Sequence, residues 1–162
     1  GRQAVLDRFD DEVGFALGER RSTRAWVTPG RVAEVADRNP MMDVDARALA
    51  FQGIRNQEDD PLYEPLHGQL RSLTALLDAR LVVLPFGLRY ERGASGDDAA
   101  SDRSEGDPEA SRGRPALEVA IVDTRAGRLL WVGNVEGAPA DPGASGMLTE
   151  LADRLVRQLA PS

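Results

Sequence analysis

Apolar residues recur at helical spacing at both ends of the chain and alternate at strand spacing in its middle. Val5, Leu6, Phe9, Val13, Ala16 and Leu17 lie three and four residues apart, which predicts an amphipathic helix over 3–19 with acids and arginines on its outer face. The run RAWVT at 24–28 has the composition of a short strand. Thr28-Pro29 then joins an N-cap residue to a proline at the first helical position. The helix it opens, through Val32, Val35 and Ala36, should stop before Asn39-Pro40. A further short helix is expected over 43–51, capped by Asp43, and a polar loop over 56–61. Leu66, Leu70, Leu73, Leu76 and Leu77 mark a strong helix before the main strand.

That strand, LVVLPFGLRY at 81–90, carries Val82, Leu84, Phe86, Leu88 and Tyr90 on one face and Leu81 and Val83 on the other. Apolar residues on both faces predict a central strand covered on both sides, at least in its first half. Pro85 opposes that reading because it lacks a ladder donor, so a bulge is expected near Pro85-Phe86-Gly87. After a polar insertion over 93–114, Leu117, Val119 and Ile121 alternate with Glu118, Ala120 and Val122, and Leu129, Trp131 and Val135 continue the pattern. Thr124-Arg125-Ala126-Gly127 supplies the turn between them, with Gly127 suited to positive φ. Leu148, Leu151, Leu155 and Leu159 form the last helix, with Ser145 or Asp141 as its cap. The expected fold is a single α+β domain over 1–162. It is an α/β sandwich in which helices cover a mixed or antiparallel sheet of about four strands, with a long acidic loop inserted.

Composition narrows what such a domain can do. A chain of 162 residues buries roughly 70% of its unfolded surface, enough for one core. All 20 basic residues are Arg, which codon usage in a GC-rich genome explains without a guanidinium-specific role. The net charge of −7 disfavours nonspecific binding to nucleic acid. The absence of Cys excludes disulfides and thiolate metal sites. No apolar run approaches the roughly 20 residues of a membrane-spanning helix. A chain starting at Gly1 rather than Met is what removal of an export signal leaves, and simple trimming leaves the same. Export is the expectation, with a lipid anchor upstream of Gly1 as one form of it.

Candidate chemistry is sparse. His67 is the only histidine, so a multi-histidine metal site is excluded and a boundary side chain on a helix is expected. Gly143-Ala144-Ser145-Gly146 precedes a helix but matches neither the dinucleotide nor the phosphate-loop pattern, and no Gly-x-Ser-x-Gly elbow occurs. The acids of the insertion lack EF-hand spacing and read as a solvated loop. The chain is therefore expected to be noncatalytic, with no cofactor and no metal. The residues expected to contact a protein partner are Met41, Met42 and Tyr63, together with Asp97, Asp98, Asp102, Glu105, Asp107, Arg112 and Arg114 in the insertion. Trp26 and Trp131 also suit an apolar contact, although core packing competes for Trp131.

Leu84-Pro85-Phe86 within LVVLPFGLRY, and Asp123-Thr124-Arg125-Ala126-Gly127 with Trp131 in the hairpin, resemble the strand and turn of bacterial envelope α/β sandwich proteins. That group includes the N-terminal domain of the Tol-system periplasmic protein, the curli secretion-channel lipoprotein and lipoprotein activators of penicillin-binding proteins. The resemblance spans about 40 of the 162 residues, and the 22-residue acidic insertion departs from it. It implies a noncatalytic periplasmic protein that docks onto the subunits of a membrane-associated complex. A narrower expectation, from the Arg-only composition and the acidic loop, is an accessory extramembrane subunit of a bacterial photosynthetic reaction-centre and light-harvesting complex. No motif binds pigment or haem. A module that binds peptidoglycan, sugar or another small ligand is the alternative.

Overall fold

One strand, β2 (Arg114–Asp123), is buried on both faces and organises everything around it. The computed structural model describes residues 2–20, 26–51, 54, 61–91 and 113–160. Among them β2 pairs antiparallel with β1 (Leu81–Glu91) on one side and with β3 (Arg128–Glu136) on the other, giving a three-stranded sheet in the order β1-β2-β3. Four α-helices accompany it: α1 (Arg2–Glu19), α2 (Pro29–Asp37), α3 (Leu66–Leu76) and α4 (Met147–Leu159). The fold is mixed α+β. Three strands stand where about four were expected: Trp26, Val27 and Thr28 of the proposed first strand are in no strand, and residues 24 and 25 lie outside the described residues.

Helices occupy both faces of the sheet. On one, Leu117 and Val119 of β2 and Val135 of β3 pack against Phe9 and Val13 of α1 and Leu151, Leu155 and Val156 of α4. On the other, Ala120 and Val122 of β2 and Leu84 and Phe86 of β1 meet Leu66 and Leu70 of α3, with Ile54 and Leu62 from the connecting segment. Alternate residues of a strand face opposite ways, so an apolar β2 serves two cores at once.

The expectation of a central strand thus belongs to β2, and β1 lies at an edge. Pro85 is tolerated there because an edge strand needs no donor on its free side. The expected bulge is present: Pro85 pairs with Val119 and Gly87 with Glu118, leaving Phe86 as the extra residue. An extra residue reverses the facing of all that follow. Val82, Leu84 and Phe86 therefore face α3, whereas Tyr90 joins Val83 on the α1/α4 face, and Leu88 opposes Leu117 there. The single face expected for all five residues is corrected accordingly.

Two local expectations also change. Residues 43–50 form turns and irregular backbone rather than a helix, and Phe51 has 3-10 backbone; the preceding 3-10 turn, Pro40–Met42, ends at Asp43 with left-handed backbone at φ 51°. Helix α4 is preceded by Gly146 at φ 95° with no side-chain cap, in place of Ser145 or Asp141.

Candidate interaction surface

The β2–β3 hairpin is fixed by its turn. Asp123 ends β2 and receives the Arg80 guanidinium on Oδ2, from Nε at 2.9 Å and from an Nη at 2.6 Å. Its Oδ1 accepts the backbone N–H groups of Arg125 and Ala126 at 3.1 and 3.0 Å. The Arg80 bond first, and then these turn bonds, hold the Asp123 carboxyl down at about 2. Next to it Thr124 is buried, its N–H and hydroxyl both directed to the Arg80 carbonyl at 3.0 and 2.9 Å. The Thr124 hydroxyl also lies 3.0 Å from that of Thr74 on α3. Gly127 completes the turn at φ 63°, and a Cβ there would stand 2.8 Å from the His67 ring. His67 therefore packs its ring on the turn, 3.7 Å from the nearest Glu64 oxygen.

The rigid hairpin presents β3 at the free margin of the sheet. Pro61 bridges to Arg128 at its first residue, and Leu62 donates to the Gly127 carbonyl at 2.8 Å. Beyond that bridge no described segment pairs with the outer edge of β3. Leu130, Trp131 and Val132 are 53%, 42% and 45% exposed, an apolar run that loses favourable free energy to water. Leu130 is the extra residue of a second bulge, since Trp131 pairs with Ile121 and Leu129 with Val122. Trp131 consequently faces the α1/α4 side and Val132, opposite Ala120, the α3 side. Each face of the sheet is only partly covered at this margin. The Trp131 indole lies over Gly133, where a Cβ would come within 2.1 Å of the ring.

The two edges differ in their protection. Free strand edges invite further pairing, and proteins blunt them with proline, charge or bulges. Edge strand β1 carries Pro85, a bulge, Arg89 and Glu91. The stretch Leu129-Leu130-Trp131-Val132-Gly133-Asn134-Val135 of β3 has neither proline nor charge, and only the bulge at Leu130 interrupts it.

Beside β3, Asn134, Val135 and Glu136 and the α4 residues Arg154, Arg157 and Gln158 border a shallow groove of about 440 Å³. Its arginines are engaged: Arg154 donates to Glu150 and to the Glu136 carbonyl, and Arg157 pairs with Asp153. Near the far end of the α3-side face, Glu118 is buried in β2 and paired with Arg89.

The residues expected to bind a partner do not form one surface. Met41, 96% exposed, and the partly buried Met42 sit on the 3-10 turn, whereas Tyr63, 52% exposed, follows the Pro61 bridge at the turn end of the hairpin. Arg114 is exposed at the start of β2, ten residues of strand away, or roughly 30 Å. Asp97, Asp98, Asp102, Glu105, Asp107 and Arg112 lie outside the described residues. Of the two tryptophans, Trp26 is partly buried and Trp131 is exposed. Leu130 and Val132 escape a reading of the sequence because alternation assigns alternate β3 residues to a core, and no sequence signal tells which strand has only one neighbour.

Among the described residues no cluster of three or more acids or histidines is placed to hold a metal, and no helix is long and apolar enough to cross a membrane. No family model, curated protein or solved structure matches the chain.

Proposed function

We propose that this chain is a noncatalytic accessory subunit that docks onto a larger protein assembly through the β3 margin. The observation that carries the reading is the run Leu130-Trp131-Val132, exposed on a free sheet edge without proline or charge. A partner strand laid along β3 satisfies its outward backbone groups, while flanking side chains cover Trp131 on one face and Val132 on the other. Trp131 is the expected anchor, because a large, stiff aromatic gains the most from desolvation at the centre of an interface. The single histidine is committed to packing against the hairpin turn, which supports a noncatalytic role. The envelope setting, with periplasmic location, a lipid anchor and a membrane-associated or photosynthetic complex as host, rests on the strand and turn resemblance and on composition.

Recovery of the chain from native membranes tests this reading. Wild type is expected in a species well above its own 17.5 kDa. The full-length Trp131→Ser/Val132→Lys variant, with circular dichroism unchanged, is expected to run alone. A variant that keeps the same assembly, or a wild type recovered alone, overturns the proposal. The alternative, a module for peptidoglycan, sugar or a small ligand, calls for a concave apolar site. The groove beside α4 is shallow and lined by polar groups that are largely paired, so this reading ranks second. Saturable thermal stabilisation by a muropeptide or oligosaccharide, lost on Gln158→Ala, would reverse that order.

A further inference from the structure

We draw no further inference here: the strongest candidate, the exposed apolar margin of β3, is the surface already described, and nothing in the structure shows what covers it.

Discussion

Thr74 and Thr124 form a buried hydroxyl pair that decides how firmly the hairpin is held to α3, and a double-mutant cycle measures it. The Thr74 hydroxyl lies 2.8 Å from the Leu70 carbonyl, which also receives the helical N–H of Thr74, and 3.0 Å from Thr124 Oγ1, so its one proton serves one or the other, while the Thr124 hydroxyl donates to the Arg80 carbonyl. In a relay the Thr74 hydroxyl gives its proton to Thr124 Oγ1 and the Thr124 hydroxyl gives its own to Arg80, and the cycle tests that arrangement against donation from Thr74 to Leu70. Valine is nearly isosteric with threonine, so each substitution removes hydrogen bonds without opening a cavity. Thr74→Val loses one bond, about 1 kcal/mol. Thr124→Val loses two, about 2 kcal/mol. The double variant loses the same two, so its cost falls short of the combined single costs by about 1 kcal/mol. In a domain of this size that deficit is a melting-temperature difference of about 2–4 °C. Urea unfolding of the four proteins by circular dichroism gives the coupling directly. Additivity within about 0.4 kcal/mol would refute the relay, showing that Thr74 donates to Leu70 and merely touches Thr124.

Three other outcomes follow from the same geometry. On α1 the Asp10 carboxyl is pushed up to about 6 by burial and then by the Asp7 and Asp11 charges, with Arg47 opposing. A raised carboxyl binds its proton more tightly folded than unfolded, so its contribution to stability declines as pH rises from about 4 to about 6. The residue keeps exposed surface, which screens the effect. Asp10→Asn should have a higher urea midpoint than wild type at pH 7, with the gain gone near pH 3; an equal gain at both would contradict the assignment. Asp123 acts with the opposite sign: its depressed carboxyl stabilises above about pH 4, and that stabilisation is lost as pH falls toward about 2. In Arg80→Gln the acid-side slope should flatten and the Asp123 carbon resonance titrate nearer the ordinary range, and an unchanged titration removes Arg80 as the cause. Gly133→Ala should displace the Trp131 indole, shifting its emission in a Trp26→Phe background, while costing less than about 1 kcal/mol because the ring is half exposed.

Periodicity and turn chemistry make most of the elements legible in the amino-acid sequence. The spacing from Val5 to Leu17 matches α1, Thr28-Pro29 marks the start of α2, and Thr124 to Gly127 forms the turn with Gly127 at positive φ. Pattern and structure part where tertiary partners decide. Asp43 has the composition of a helix cap but takes left-handed backbone after a 3-10 turn. Ser145 offers a cap, yet Gly146 holds that position. Apolar residues on both sides of 81–90 suggest a central strand, but β1 is an edge strand that meets both cores by alternation, with the bulge moving Tyr90 to the face of Val83.

The candidate surface is less legible for the same reason. Alternation reports which residues could face a core, and strand order reports whether a core is there to face. Trp131 and Val132 continue the pattern begun by Leu117, yet they project where neither α3 nor α4 buries them. The proline that opposes a central β1 is consistent with its place at the edge, and the apolar run Leu129-Leu130-Trp131-Val132 that suits β3 to an interior lies at an edge protected only by the bulge at Leu130. The two edges are unequally blunted, β1 by proline, charge and a bulge and β3 by a bulge alone, and the proposed docking margin rests on that asymmetry.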